Sequence, residues 1–380
     1  MLRVGGHQVP LVDCDVHEYL KSPQELLPYV KDPWRRYFTE CKFRGLQQGA
    51  YTETGGGGRR ADSWPSDGSP SGSSYELLKQ QLLDQYGVDY AILQGAFYRV
   101  SGMPQSDFAN VLASAYNDWL VDNWLSKDQR LKGSVNVNVQ DPAAAAREID
   151  RMGDHPDIVQ LLLSVTSQPG FGHPMYDPLW EACSRHDLVV TMHLNNPAGS
   201  LFIPPTPLGW PRYYMEWRCA ATLTFQAQLI NLVCEGVFER FPKLKVVFVE
   251  GGFSWVSHLL IRMDLTWQSL RLETPWLKRK PSEYVRDHCY FTTQPTEFQD
   301  DVDAFLRLVD GINGQRRLMF ATDYPHWDFD SPLHALPKEL GFETRSRILG
   351  RNALELFGLP EPSPMVDPAP GEARTAATRG

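Results

Sequence analysis

The chain has 380 residues and a net charge of −9, and 42% of its residues are hydrophobic and 22% charged. At about 150 residues per domain, this length would allow two or three domains, but an α/β barrel of this length commonly forms a single domain. The acidic charge, without any basic run of five residues, argues against nucleic acid as a partner. No stretch of 18 apolar residues and no signal-peptide pattern occurs, so we expect a cytoplasmic protein without a membrane span.

The six cysteines are widely scattered and form no CxxC pair. This pattern favours neither a cysteine-rich zinc site nor a disulfide framework. With nucleic acid and a membrane set aside, the expected partner is a small-molecule substrate. A homodimer or higher homo-oligomer is an open alternative to a monomer.

Short apolar segments alternate with helical patterns along most of the chain. The predicted strands are residues 9–12, 88–93, 133–139, 158–164, 188–193, 244–249, 289–292 and 317–321. The predicted helices between them are residues 107–126, 143–152, 177–186, 216–238, 254–272 and 302–308. Eight strands alternating with helices predict a (β/α)8 barrel over residues 1–360, with a doubly wound open sheet as the alternative.

Two connections are longer than a barrel requires, residues 18–87 after the first strand and residues 194–215 after the fifth. Since both follow strands, we expect them to lie over the face where barrel enzymes place their active sites. Residues 361–380 are rich in proline, alanine and small polar residues, and we expect a disordered tail.

Acidic and imidazole side chains stand at the ends of three predicted strands. Asp15 and His17 follow the first strand, and in an extended segment they point to the same side. His193 ends the fifth strand, and Asp323 follows the eighth. A single histidine at a strand end is more often a hydrogen-bonded rim residue, but four such groups on one rim fit a metal site. Carboxylate and neutral imidazole suit Zn, Mn, Fe or Co.

The chain resembles the amidohydrolase-related branch of the amidohydrolase superfamily, which includes aminocarboxymuconate-semialdehyde decarboxylase and the dihydroxybenzoate decarboxylases. The matching motifs span residues 11–360 and include DCDVHEY (13–19), TMHLNNP (191–197), FPKLKVVFVEGGFSWVSHLLIRMD (241–264) and FATDYPHWD (320–328). The resemblance implies a distorted barrel with one divalent metal held by Asp15, His17, His193 and Asp323. We expect zinc, with Mn, Fe or Co as alternatives.

The sequence departs from the pattern of this family at two positions. Asp15-x-His17 replaces the His-x-His or Glu-x-His of many decarboxylases and keeps an oxygen ligand. Glu250, in front of Gly251-Gly252, stands where many members carry a catalytic histidine. A carboxylate there could take a proton from metal-bound water, bind the metal, or form a salt bridge at the rim.

The candidate catalytic residues are Glu250, Asp323 and His326. The candidate substrate-binding residues are His173, Trp210, Arg212, Tyr214, Arg218 and Trp327. The arginines could hold a substrate carboxylate and the aromatic residues could wall a planar ligand, although ion pairing and packing are ordinary alternatives.

Three functions remain open at this level. The first is hydrolysis of a small, cyclic or aromatic carbonyl compound by metal-activated water, which the replacement of histidine by Glu250 favours. The second is non-oxidative decarboxylation of an aromatic or muconate-like acid, and the third is non-catalytic binding of a small molecule. Fold and ligands alone do not separate the first two.

Overall fold

The computed structural model describes residues 2–4, 7–46, 58–194, 206, 208–297 and 301–362. The predicted disordered tail therefore lies almost entirely outside the described residues. Within the described part of the chain, no helix is both long enough and apolar enough to cross a membrane.

Eight parallel strands form one sheet in which each strand pairs with its neighbours along the chain. The strands are β3 (Val12–Val16), β4 (Tyr90–Leu93), β5 (Leu131–Asn136), β6 (Ile158–Ser164), β7 (Val189–His193), β8 (Val246–Val249), β9 (Cys289–Thr292) and β10 (Leu318–Met319). Their short apolar segments are buried on both faces, as expected for parallel strands covered by helices.

The two edge strands are joined by backbone hydrogen bonds beyond the end of β10. Cys14 N donates to Phe320 O at 3.0 Å, and Asp323 N donates to Asp15 O at 3.0 Å. Val16 and Tyr324 form a parallel bridge. These bonds bring β3 beside the segment after β10, so the sheet curls into the predicted barrel rather than an open sheet.

Helices connect the parallel strands, since such strands need a crossover. They are α1 (Trp34–Glu40), α2 (Tyr75–Leu78), α3 (Ser106–Asn123), α4 (Pro142–Met152), α5 (Asp177–Arg185), α6 (Tyr214–Ala220), α7 (Thr222–Cys234), α8 (Val237–Arg240), α9 (Ser254–Leu270), α10 (Pro281–His288), α11 (Val302–Gly311), α12 (Gly314–Arg317), α13 (Phe342–Ser346) and α14 (Asn352–Phe357). Asp141 caps α4 by accepting from Ala144 N at 3.0 Å, as the Asp-Pro pair predicts.

The structure differs from the predicted elements in several places. The first barrel strand runs through Val12–Val16 rather than residues 9–12, because the buried acids Asp13 and Asp15 interrupt its apolar pattern. An unpredicted antiparallel hairpin, β1 (Leu2–Val4) and β2 (His7–Val9), precedes it. The single helix predicted over residues 216–238 is divided into α6, α7 and α8, and the last begins after Gly236 in a left-handed conformation.

Part of the long connection after β3 packs against the segment after β10. Arg60 N donates to Pro325 O at 2.9 Å, and Trp327 N donates to Gly58 O at 3.1 Å. The described residues 58–72 thus lie at the carboxyl ends of the strands, where the sequence places this connection. The expected cover from residues 194–215 falls largely on residues 195–205 and 207, outside the described residues.

Candidate metal centre

The four residues predicted to bind a metal come together at the carboxyl ends of β3, β7 and β10. Nε2 of His17 lies 3.1 Å from Oδ1 of Asp15 and 3.0 Å from Oδ1 of Asp323. Nε2 of His193 lies 3.3 Å from the same Asp15 oxygen. All four side chains are buried, so this is one compact set of two imidazoles and two carboxylates.

Backbone carbonyl groups fix the orientation of both imidazole rings. Nδ1 of His17 donates to Gln94 O at 2.7 Å, and Nδ1 of His193 donates to Leu194 O at 2.6 Å. Each ring therefore directs Nε2 towards the carboxylates with its lone pair available. A hydrogen bond of this kind behind the ligating nitrogen is the usual arrangement for a histidine that binds a metal.

Two atoms of this set have no hydrogen-bond partner among the described residues. They are Nε2 of His17 and Oδ2 of Asp15, and both are buried. A buried polar atom without a partner is costly, and a nitrogen lone pair facing two carboxylate oxygens calls for a cation between them. The donor set therefore fits a divalent metal ion.

The charges in the cluster support this reading. Burial alone would raise the pKa of Asp15, but the facing imidazoles of His193 and His17 hold it below its ordinary value. Burial lowers the pKa of His17, but Asp15 outweighs this effect and holds the pKa well above its ordinary value. The two carboxylates thus favour positive charge at this position, and a divalent ion would supply it.

Asp13 and Thr322 brace the backbone beneath two of the ligands. Oδ1 of Asp13 accepts from Thr322 N at 2.9 Å and from Asp15 N at 3.2 Å. The Thr322 hydroxyl donates to Oδ2 of Asp13 at 2.5 Å. Burial raises the pKa of Asp13 to about 7 despite these bonds. The brace joins the strand that carries Asp15 to the segment that carries Asp323.

Asp323 itself has a left-handed backbone, with φ of 60°, and so has Glu250, with φ of 59°. This conformation is uncommon for residues other than glycine and is often found at functional sites. In both cases it turns a carboxylate that follows a strand towards the centre of the barrel.

Glu250 faces the cluster and is also held by an arginine. Its Oε2 lies 3.7 Å from Nε2 of His193, and its Oε1 accepts from Nη1 of Arg218 at 2.6 Å. Nη2 of Arg218 donates to Asp328. Burial and the nearby Asp323 raise the pKa of Glu250 well above its ordinary value. The predicted orientation of Glu250 towards the site is observed, together with the predicted alternative, a salt bridge.

His326 lies over the same cluster. Its Nδ1 contacts Oδ1 of Asp323 at hydrogen-bonding distance, and its ring centroid is 4.5 Å from that of His17. Its Nε2 lies 3.4 Å from the hydroxyl of Tyr19. Burial and the charge of Arg59 lower the pKa of His326 well below its ordinary value. The imidazole is therefore neutral near pH 7 and is coupled to a metal-ligand candidate.

Sequence reasoning missed Arg59 and Tyr19. The guanidinium of Arg59 lies 4.5 Å from the centre of the Tyr19 ring, and its backbone forms a bridge with His326. Arg59 stands in the long connection after β3, where no strand or helix periodicity marks its position. Tyr19 could have been singled out, since it lies two residues after His17 in an extended segment.

The remaining substrate-binding candidates lie outside this cluster of close contacts. His173 is exposed and caps the short 3-10 helix Pro174–Tyr176. Arg212 is exposed and stacks on Tyr213 at 5.2 Å, and Tyr214 stacks on Trp217 at 5.5 Å. Half of the surface of Trp210 and of Trp327 is exposed. The predicted substrate contacts of His173, Trp210, Arg212, Tyr214 and Trp327 stay predictions.

Comparison with characterised proteins places this geometry in context. A γ-resorcylate decarboxylase from Polaromonas sp. is 26% identical over 73% of this chain and 86% of its own length. A 2-amino-3-carboxymuconate-6-semialdehyde decarboxylase from Dictyostelium discoideum is 25% identical over 74% of this chain and 76% of its own.

A crystal structure of dihydroxybenzoic acid decarboxylase from Polaromonas sp., with bound manganese and the inhibitor 2-nitroresorcinol, has the same fold. It superposes with a TM-score of 0.66 and 20% identity, covering 93% of this chain and 98% of that one. The sequence profile of the amidohydrolase family matches residues 12–359. The resemblance drawn from the motifs is thereby confirmed, and the chain belongs to the amidohydrolase family.

Proposed function

We propose that this enzyme is a metal-dependent, non-oxidative decarboxylase of an aromatic acid. The single observation that carries the proposal is the pairing of His326 with Asp323 directly over the candidate metal ligands. This pair can supply a proton to a substrate held at the centre. The decarboxylase relatives in two branches agree with this choice better than with the hydrolysis that the sequence alone favours.

Asp15, His17, His193 and Asp323 would hold the ion. When bound, the ion would fix anionic oxygen atoms of the substrate and stabilise negative charge that develops on them. Two carboxylates and two imidazoles suit either zinc or manganese. We propose manganese rather than the zinc expected from sequence, because a neighbour of the same fold binds manganese.

The residues of the chain account for the proton that the reaction needs. A proton adds to the ring carbon that bears the carboxylate. The bond from this ring carbon to the carboxylate carbon then breaks, its electrons stay on the ring, and CO2 leaves. Burial raises the pKa of Asp323 and lowers that of His326, so one proton shared by this pair can be transferred. Water restores the proton to the pair after each turnover.

Arg59 is our candidate for holding an anionic group of the substrate. Its guanidinium stacks on Tyr19, whose hydroxyl lies 3.4 Å from His326, so it stands beside the proposed proton source. Guanidinium binds a carboxylate or phenolate through paired hydrogen bonds.

We propose a cytoplasmic location for the enzyme and leave the monomer and homo-oligomer as alternatives.

The test uses metal-free protein and protein reloaded with Mn²⁺ or Zn²⁺, each incubated with a panel of hydroxybenzoic acids. The proposal predicts CO2 release in a metal-dependent manner from at least one ortho-hydroxylated acid. The same preparations are assayed against lactones, aryl esters and cyclic amides. Metal-dependent hydrolysis of these compounds without CO2 release from any acid would overturn the proposal.

Hydrolysis keeps one specific observation in its favour, since Oε2 of Glu250 faces His193 at 3.7 Å. A general base in that position could take a proton from water at the centre. However, Arg218 donates to the other oxygen of the same carboxylate at 2.6 Å, so Glu250 already serves as the partner of a buried guanidinium. We therefore rank hydrolysis second.

A further inference from the structure

Three carboxylates form a second acidic cluster beside the candidate metal ligands. Oxygen atoms of Glu250, Asp323 and Asp328 lie close enough together to surround one cation. Asp323 belongs to both clusters, since its Oδ1 also lies 3.0 Å from His17. The two clusters are therefore adjacent halves of one acidic site, joined through Asp323.

The second half already contains a cation that belongs to the chain. Arg218, on α6, donates from Nη1 to Glu250 at 2.6 Å and from Nη2 to Asp328. Its side chain is four-fifths buried, and those of Glu250 and Asp328 are more deeply buried. A guanidinium with both arms on carboxylates is rigid and permanently charged, because it does not lose its proton near neutral pH.

We propose that Arg218 takes the place of a second metal ion and thereby limits this site to one. Its charge balances Glu250 and Asp328, and its hydrogen bond holds Oε1 of Glu250 while Oε2 faces His193 at 3.7 Å. Arg218 is thus a positioning residue and not the substrate-binding residue expected from sequence. This inference rests on the proposed metal centre.

The chain offers a direct test in which metal is counted rather than activity measured. Wild-type protein and Arg218→Met are equilibrated with Mn²⁺ by dialysis, and bound manganese is measured per chain by atomic emission. We expect one ion in the wild type and two in Arg218→Met, where the acidic cluster has lost its cation. Two neighbouring Mn²⁺ ions should also give the spin-coupled signal of a pair in electron paramagnetic resonance.

Two matched variants control for loss of structure. Arg218→Lys keeps the charge and should bind one ion. The double variant Arg218→Met, Glu250→Gln lacks both the cation and one of the acids, and it should also return to one ion. Circular dichroism and thermal melting establish that each variant is folded before the ions are counted.

The outcomes separate the two proposals. No bound ion in the wild type would overturn the metal centre and this inference together. One ion in the wild type and one in folded Arg218→Met would overturn this inference alone. Two ions in the wild type would also overturn it, and this comparison needs no variant, so the proposal stays testable if Arg218→Met fails to fold.

Discussion

The two halves of the acidic site contain similar side chains but differ in what neutralises them. In the metal half, Asp15 and Asp323 face two imidazoles, and Nε2 of His17 has no hydrogen-bond partner in the described part of the chain. In the arginine half, Glu250 and Asp328 each accept a hydrogen bond from Arg218. The first half needs an ion from solution, whereas the second is complete within the chain.

This difference explains why a carboxylate near a metal centre need not be a base or a ligand. The metal half is suited to bind an exchangeable cation, because its imidazoles are oriented by carbonyl groups and keep their lone pairs. The arginine half supplies fixed charge and fixed geometry beside it. We expect the loss of a ligand in the first half to remove the metal. We expect the loss of Arg218 from the second half to change the number of bound ions.

The largest expected effect is the loss of a ligand in the metal half. His193→Ala should lower bound manganese to a small fraction of one ion per chain and reduce decarboxylation about a thousandfold or more. His334 is exposed, and His334→Ala is the matched control that should keep both. Retention of a full ion and normal turnover in His193→Ala would remove His193 from the centre.

Removal of the proposed proton source comes next. His326→Gln should reduce kcat by roughly a hundredfold or more, in the range for loss of an acid–base group. Since His326 contacts Asp323 from outside the ligand set, bound manganese should stay near one ion per chain. Metal loss in step with activity would instead make His326 a ligand.

Arg59→Met tests substrate anchoring at the boundary of the metal half. Loss of a charged hydrogen bond to an anionic substrate should raise KM about tenfold to a hundredfold, with a smaller change in kcat. Arg36 is an exposed arginine paired with Glu40 on α1, and Arg36→Met should leave KM unchanged. An unchanged KM in Arg59→Met would place the anion-binding group elsewhere.

Glu250→Gln distinguishes the two candidate reactions in the arginine half. As a general base of hydrolysis, Glu250 should be worth about a hundredfold or more in turnover. If Glu250 is instead only a partner of Arg218 in a decarboxylase, Glu250→Gln should lower turnover less than about tenfold, because the glutamine oxygen can still accept from the guanidinium. Turnover of the substrate that the wild type converts measures this difference, and a loss of about a hundredfold with full metal content would identify Glu250 as an acid–base group rather than a partner of Arg218 alone.

The smallest effect is expected at the brace beneath the metal half. Thr322→Val removes the hydroxyl that donates to Asp13 and should lower the free energy of unfolding by about 1–2 kcal/mol. The hydroxyl stabilises ionised Asp13, whose pKa is raised to about 7, so the loss should be larger above that pH than below it. Urea unfolding on either side of about pH 7 checks this, and an equal loss at both would exclude the ionised carboxylate as its origin.

The sequence predicts the barrel, and it predicts that the four candidate metal ligands come together, because both follow local rules. Apolar segments alternate with helices, and Asp15, His193 and Asp323 stand where strands end, so parallel strands deliver them to one rim. The predicted bounds of β3 were wrong because buried acids, which serve the site, replace apolar residues within that strand.

The partners of the predicted residues could not be read from the sequence. Arg218 was expected to bind substrate, but its helix directs it to Glu250 and Asp328, 32 and 110 residues away. Arg59 lies in a connection without periodicity and contacts Tyr19 through tertiary packing alone. Such pairings depend on the path of long connections, which no local pattern specifies.

Anomalous diffraction from a crystal equilibrated with Mn²⁺ tests the contrast between the two halves most directly. The account predicts one manganese peak, at coordination distance from Asp15, His17, His193 and Asp323, with the Arg218 guanidinium still between Glu250 and Asp328. A peak bounded by Glu250 and Asp328, or no peak at the four predicted ligands while the protein binds manganese in solution, would contradict it.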